Sequence, residues 1–201
     1  MQSMFARLLA LVIALSAGIG IAIHVQAEWS QSGSLLDATW ILARYFTILT
    51  NLIVAVVFSI VALRGPGAVG PRLLGGATIC ITLVGVIYAL LLYGLAEPAE
   101  RASLSNVLLH MVTPALGPIY WLFFVRRGAL RWSDPLFWAI YPATYLGYAL
   151  VRGAADGRFA YPFINYVDNG VQQVAVTVVI ITLAFLAAGW LMVLLDKRLA
   201  S

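Results

Sequence analysis

The stretch ARYFTILTNLIVAVV, residues 43–57, decides the fold because it is apolar enough to form the outer half of a membrane-spanning helix. Its first turns nevertheless carry four polar side chains, Arg44, Thr47, Thr50 and Asn51. A polar group in hydrocarbon is unfavourable unless a partner satisfies it, so polar residues within a span generally face the interior of a helix bundle. The stretch therefore predicts a transmembrane helix with a polar site on one face.

The composition of the whole chain indicates an integral membrane protein. Of its 201 residues, 63% are hydrophobic and 10% are charged, and the mean hydropathy is +0.97. A soluble domain of this size needs more charge to cover its surface. The net charge is +4, but no basic patch with interleaved aromatics is present, which argues against a nucleic-acid partner. The single cysteine, Cys80, excludes an intrachain disulfide, and no Cys/His spacing suggests a zinc site, so no metal or cofactor is predicted.

Apolar runs of about 20 residues are long enough to cross a bilayer core. Six occur, at roughly 4–25, 40–63, 71–95, 104–125, 135–152 and 171–195. The chain is therefore predicted to be all-α, a polytopic membrane protein with one six-helix domain over residues 1–201. Asp134 before Pro135 predicts the N-cap of the fifth span. The first run also resembles a signal peptide, but its apolar segment is long for one, and a retained helix is predicted.

The loop charges predict the orientation, because arginine and lysine accumulate on the cytoplasmic side. With the N-terminus inside, eight basic residues fall on the inner side and four on the outer side. Both termini are therefore predicted to be cytoplasmic. Arginine outnumbers lysine eleven to one, which suggests a bacterium with a GC-rich genome and hence the bacterial cytoplasmic membrane. The sequence does not indicate an oligomeric state.

The longest outer loop, residues 153–170, is rich in aromatic residues. It contains Phe159, Tyr161, Phe163 and Tyr166. Two interpretations remain open at this stage. The loop folds back over the bundle as a lid, or its rings form an aromatic belt at the membrane interface.

Two spans each carry one polar stripe, with successive spacings of four, three and four residues. Such spacing places side chains on a single helix face. The stripe on the second span comprises Trp40, Arg44, Thr47 and Asn51, and that on the fourth span comprises Asn106, His110, Thr113 and Gly117. With most of each remaining surface apolar, the stripes are predicted to face the bundle interior.

Depth brings the two stripes to the same level. At 1.5 Å per residue, Thr47 lies roughly 10 Å below Trp40, and His110 lies about 9 Å below Leu104. A hydroxyl and an imidazole are therefore predicted to meet in the outer leaflet. Pro114 removes the hydrogen bond to the carbonyl of His110 and predicts a kink there. The alternative is that these residues only bind helices to one another, as Thr, Asn and His commonly do.

Three motifs resemble those of a known family. RYFTILTN (44–51), LLHMVTP (108–114) and GRFAYPFI (157–164) are similar to the family of the androgen-induced protein and the androgen-dependent TFPI-regulating protein. The resemblance implies a six-pass intramembrane hydrolase that cleaves fatty acid esters of hydroxy fatty acids. It also implies that Thr47 is the nucleophile and that His110 is its partner. The residues Thr50 and Asn51 and a shorter His-to-Pro spacing differ from the animal members.

The hydrolase that the resemblance implies would act by acyl transfer on a lipid ester, with no cofactor. A hydroxyl is a weak nucleophile until a base removes its proton, and His110 can accept one near neutral pH. The candidates for binding substrate or stabilising an oxyanion are Arg44, Asn51, Asn106 and Thr113. Arg44 is alternatively a partner for a substrate carboxylate. No acidic residue lies within a span, so either Asn106 or the loop residue Asp168 is expected to orient the imidazole.

Three other classes of protein compete with the hydrolase. In the first, the same polar residues line a site that binds or transports a lipid or small amphiphile without chemistry. In the second, His24 and His110 bind haem or a quinone, although His24 is shallower than His110. In the third, the protein is a scaffold, which leaves the paired stripes unexplained.

Overall fold

The computed structural model describes residues 2–95 and 97–200, which are helical with short connections and contain no strand. The predicted all-α class is confirmed. Two π-helical turns continue or join helices, at Tyr88–Leu92 after α4 and at Leu108–Val112 between α6 and α7. A 3₁₀ turn covers Pro162–Ile164. The α-helices are α1 Gln2–Ser32, α2 Leu35–Leu42, α3 Phe46–Arg64, α4 Pro71–Ile87, α5 Pro98–Arg101, α6 Leu104–Val107, α7 Thr113–Phe124, α8 Asp134–Asp156, α9 Tyr166–Asn169 and α10 Val171–Arg198.

Five helical segments of the described chain are long and apolar enough to cross a membrane. They correspond to the first, second, third, fourth and sixth predicted spans, and are Ser3–Ser32, Phe46–Arg64, Pro71–Leu92, Leu104–Phe124 and Val171–Arg198. Large apolar side chains are exposed along several of these helices, as expected where a helix faces lipid. The protein is therefore embedded in a membrane. The fifth predicted span corresponds to α8, which has 23 residues but is not among these five.

The prediction of one continuous helix over residues 40–63 is wrong. The helix α2 ends at Leu42, and α3 begins at Phe46 after an extended Tyr45 with φ −96° and ψ 127°. The carbonyls at a helix C-terminus need partners from outside the helix. Here α8 supplies them, since the hydroxyl of Tyr145 donates to the carbonyl of Arg44 (2.7 Å) and that of Tyr148 to the carbonyl of Ala43 (3.2 Å). The four residues of the predicted stripe therefore do not share one helix.

The fourth span packs closely against α1 and α4 at glycines. A β-carbon at Gly85 would lie 2.7 Å from the Pro114 Cβ, and one at Gly20 would lie 2.6 Å from a side-chain carbon of Leu109. The Pro114 ring is rigid, so its approach to α4 requires glycine at position 85, whereas a side chain at position 20 would require the Leu109 side chain to shift. These contacts hold the segment that carries His110 between two helices.

The distortion predicted at Pro114 takes the form of a π-helical turn. Across Leu108–Val112 the backbone hydrogen bonds span five residues, and the N–H of Thr113 donates to the carbonyl of Leu108. The second such turn, Tyr88–Leu92, lies on the neighbouring span. Single π-helical turns within α-helices are rare and occur frequently at functional sites.

The start of α8 differs by one residue from the prediction. Asp134 is the first helical residue, Ser133 is the N-cap and Pro135 lies in the first turn. The Asp134 carboxylate accepts a hydrogen bond from the N–H of Arg131 (2.8 Å) and pairs with Arg72 (3.3 Å). It is therefore buried and anchors the first turn of α8 rather than acting as a cap.

Candidate active site

The predicted approach of Thr47 and His110 is confirmed by the geometry. The Oγ1 atom of Thr47 lies 3.3 Å from the Nε2 atom of His110. Thr47 is in the first turn of α3, directly after the break at Tyr45, and only 7% of it is exposed. The distance falls within the looser range expected of a nucleophile and base in an unliganded site.

The imidazole of His110 is positioned by the neighbouring π-helical turn. Its ring stacks on that of Tyr88, with centroids 4.3 Å apart and an interplanar angle of 24°. The Tyr88 hydroxyl in turn accepts a hydrogen bond from the side-chain amide of Asn106 (2.6 Å). Asn106 therefore orients the ring only indirectly, through Tyr88. Contrary to the prediction, its side chain forms no hydrogen bond with the imidazole. The backbone of Asn106 also interacts with the ring, although Nδ1 has no partner of hydrogen-bonding geometry.

The aromatic loop folds back over the bundle, so the lid interpretation is confirmed at residues 161–164. The N–H of Thr47 donates to the hydroxyl of Tyr161 (3.3 Å), and that hydroxyl also lies 3.5 Å from the Thr47 Oγ1. The Tyr161 ring stacks on Phe163, with centroids 5.3 Å apart and an interplanar angle of 4°. We refer to residues 157–165 as the lid segment.

A cavity of about 340 Å³ lies beneath the lid segment, and Thr47 is part of its wall. The helices α3, α4, α8 and α10 form its sides. Most of the lining is aliphatic or aromatic, which suits an apolar ligand with a polar group at one point. The polar members of the wall are Thr47, Tyr145, Tyr161 and Thr182, and the apolar ones include Leu83, Val84, Ile87, Leu146, Val178, Ile181 and Phe185.

Arg44 is not placed to bind a substrate, contrary to the prediction. Its guanidinium forms an ion pair with Asp156 at 2.5 Å and also donates to the backbone carbonyl of Arg158. Only 6% of Arg44 is exposed. The Arg44 guanidinium holds the pKa of the Asp156 carboxyl well below its usual range. The arginine therefore fastens the start of the lid segment to the break before α3.

Asn51 and Thr113 also hold helices together rather than face the cavity. The Asn51 side-chain amide donates to the carbonyls of Thr47 (2.9 Å) and Leu109 (3.3 Å), so its donors are occupied. Thr113 is fully buried, and its hydroxyl donates to that of Ser16 on α1 (2.9 Å). Asn51 and Thr113 therefore fit the alternative interpretation, in which polar side chains hold helices to one another. Neither is a free oxyanion donor. Asn51 instead links the first turn of α3 to the backbone carbonyl of Leu109, the residue before His110.

The other two candidate residues lie elsewhere. Asp168 is exposed and accepts a hydrogen bond from Asn165 (2.6 Å), so it does not orient His110. His24 is partly exposed on α1. Among the described residues, no group of three or more His, Cys, Asp or Glu side chains could hold a metal ion. Cys80 is a buried free thiol.

Sequence reasoning missed Tyr88, Asp156 and the specific position of Tyr161. Tyr161 stood in a quoted motif and an aromatic loop, but nothing in the sequence indicated which ring reaches Thr47. Tyr88 and Asp156 carry no local signal, because their partners are distant along the chain.

A comparison of the chain with protein-family models, with curated proteins and with solved structures finds no match.

Proposed function

We propose that this protein is an intramembrane lipid ester hydrolase with Thr47 as nucleophile and His110 as base. One observation carries the proposal: the Thr47 hydroxyl lies 3.3 Å from the His110 imidazole, at the wall of an apolar cavity. Helix–helix contact alone gives no reason for a cavity beside Thr47, the member of the pair that lines it. The nucleophile, the base and an acyl-sized apolar site are the components that acyl transfer requires.

The mechanism follows from the arrangement of the pair. The Thr47 oxygen attacks the ester carbonyl carbon while Nε2 of His110 takes its proton, and the carbonyl electron pair forms an oxyanion. Collapse of this intermediate breaks the ester bond, and the departing alkoxide takes the proton from His110. Water then attacks the acyl-Thr47 ester with His110 again as base. The second collapse releases a carboxylic acid and returns the proton to Thr47.

The substrate class is a lipid ester whose acyl chain occupies the cavity. Its wall is mostly apolar, so a hydrocarbon chain that enters it from the bilayer exchanges one apolar environment for another. Fatty acid esters of hydroxy fatty acids, which the family resemblance implies, belong to this class. The lipid bilayer is both the solvent of the enzyme and the source of its substrate.

We further propose that α8 is the sixth span, that both termini are cytoplasmic and that the site opens toward the outer leaflet of a bacterial cytoplasmic membrane. At 1.5 Å per residue, the 23 residues of α8 reach about 34 Å, which exceeds the hydrocarbon thickness. The excess of basic residues in the predicted inner loops supports the orientation. In that orientation, the lid segment and Thr47 lie near the outer face.

The second candidate function is non-catalytic binding of a lipid or small amphiphile in the same cavity. It is favoured by the scarcity of polar groups on the wall and by the contact of the Tyr161 hydroxyl with Thr47 in this structure. A binding protein retains its ligand without turnover, whereas a hydrolase releases fatty acid from it.

The test is hydrolysis of a long-chain fluorogenic ester by the purified protein in micelles. Thr47→Ala is expected to lower kcat/KM at least roughly 1,000-fold, because the nucleophile is lost. Thr50→Ala is the matched control, since Thr50 is also buried in α3 but bonds Tyr141 (3.0 Å) instead of His110. Equal activity of Thr47→Ala and wild type would rule out the assignment of the nucleophile. Ester that binds wild type and is never cleaved would favour the binding function.

A further inference from the structure

We propose that Tyr161 is a catalytic residue, whose hydroxyl donates a hydrogen bond to the oxyanion formed on the substrate carbonyl. The inference rests on the proposed hydrolase function and adds to it. It also replaces Arg44 and Asn51, the two oxyanion donors that the sequence suggested. The terminal guanidinium nitrogens of Arg44 and the side-chain amide of Asn51 already donate to other groups.

The position of the hydroxyl supports this role. It lies 3.5 Å from the attacking oxygen of Thr47 and contacts the N–H of the same residue at 3.3 Å. Oxyanion donors lie about 2.7–3.1 Å from the oxyanion, which shares a carbon with the attacking oxygen. The Tyr161 hydroxyl lies slightly farther than this from the attacking oxygen of Thr47, so its distance to the nearby oxyanion is suitable for a hydrogen bond. Tyr161 and Thr47 both line the cavity in which the ester would bind.

The start of α3 adds to the stabilisation. Thr47 is in the first turn of a 19-residue helix, where the backbone N–H groups carry partial positive charge. In this structure, the N–H of Thr47 is directed at the Tyr161 oxygen. A substrate carbonyl oxygen that enters between them would meet two donors, the amide and the phenol.

The phenol remains protonated at the pH of the reaction. Burial raises the pKa of Tyr161 above its ordinary value, so the hydroxyl keeps the proton that it must donate. The ring itself is held by its stack on Phe163 and by an edge contact with Tyr45, with centroids 6.1 Å apart. Removal of the hydroxyl alone therefore leaves the packing of the lid segment in place.

The first experiment compares the ester turnover of wild type with that of Tyr161→Phe and Tyr166→Phe. Removal of one oxyanion donor lowers kcat roughly 10²- to 10³-fold, and KM should change little. Tyr166→Phe is the matched control, because Tyr166 follows the lid segment and its ring packs edge-on against Phe159. Thermal unfolding of all three proteins checks that the substitutions leave the fold intact.

A second measurement separates an oxyanion donor from a residue that only shapes the lid. The Thr47 hydroxyl is expected to add to the carbonyl of a long-chain trifluoromethyl ketone and form a tetrahedral oxyanion. A fatty acid forms no such adduct. Tyr161→Phe is expected to weaken inhibition by the ketone roughly 10²-fold while the fatty acid binds as it does to wild type. Equal loss for both ligands, or no loss for either, would overturn the role of Tyr161.

The outcomes distinguish this inference from the proposed function. Full activity of Tyr161→Phe in a protein that Thr47→Ala inactivates would refute the oxyanion role and leave the hydrolase standing. Absence of ester turnover in wild type would remove both. If Tyr161→Phe fails to fold, 3,5-difluorotyrosine at position 161 keeps the hydroxyl and makes it more acidic. The alkaline fall in kcat should then move to lower pH, and an unchanged profile would contradict the inference.

Discussion

At the residue scale, the sequence predicted that Thr47 and His110 approach each other, but not which groups surround them. The offsets of Thr47 and His110 from the ends of their predicted spans gave similar depths under regular helix geometry. The two side chains meet although the second span is interrupted between Leu42 and Phe46. Arg44 was misassigned because an arginine near a polar stripe suggests an anion site. Its partner, Asp156, lies 112 positions away along the chain, and no local pattern announces such a pair.

The ion pair between Arg44 and Asp156 gives a residue-scale prediction with a pH dependence. Asp156→Asn removes the carboxylate that holds Arg44 beside the lid segment. Amide hydrogens of residues 157–165 are therefore expected to exchange at least several-fold faster at pH 7, as measured by hydrogen–deuterium exchange in micelles. Asp37→Asn is the control, because Asp37 is an exposed acidic residue in the first turn of α2, outside the lid segment.

The sign of the pH effect follows from the lowered pKa of Asp156, which lies beyond the predicted span 135–152. A carboxyl whose pKa is lower in the folded state stabilises that state fully above its ordinary pKa of about 3.9. This contribution is lost as the pH falls through the folded-state pKa. The exchange rates of wild type and Asp156→Asn should thus differ at pH 7 and converge in acid below about pH 3.9. Equal rates at pH 7 would show that the pair does not fasten the lid segment.

At the element scale, the apolar runs predicted where helices lie, but not how they are interrupted. The break between α2 and α3 depends on hydroxyls that α8 supplies, so hydropathy along the second span could not reveal it. The π-helical turn at His110 was foreseen as a disturbance because Pro114 lacks an N–H, whereas the form it takes depends on packing. The turn at Tyr88–Leu92 contains no proline and had no signal in the sequence.

The proposed sixth span gives an element-scale prediction. If α8 crosses the membrane, the two connections at its ends lie on opposite sides. Ser133→Cys, before α8, should react with an impermeant maleimide only after the cells are opened, and Val167→Cys, after it, should react in intact cells. Val167 is 73% exposed, and the native Cys80 is buried, so background labelling should be low. Reaction of both cysteines from the same side would contradict six spans.

At the scale of the whole molecule, composition alone indicated a membrane protein, and the bundle explains why polar residues occur in its interior. Three elements distant in sequence meet at Thr47: the start of α3, the π-helical turn with His110 and the lid segment with Tyr161. Paired polar stripes predicted the first two. The third could not be predicted, because the aromatic composition of residues 153–170 suits a lid and an interfacial belt equally.

The central claim is that His110 activates the Thr47 hydroxyl for attack on an acyl carbon. The most direct test is peptide mapping by mass spectrometry after brief reaction with a long-chain 4-nitrophenyl ester and an acid quench. The account predicts an added acyl mass on the peptide that contains Thr47, with formation at least roughly 100-fold slower in His110→Ala. Acylation of another residue, or an equal rate in His110→Ala, would contradict it.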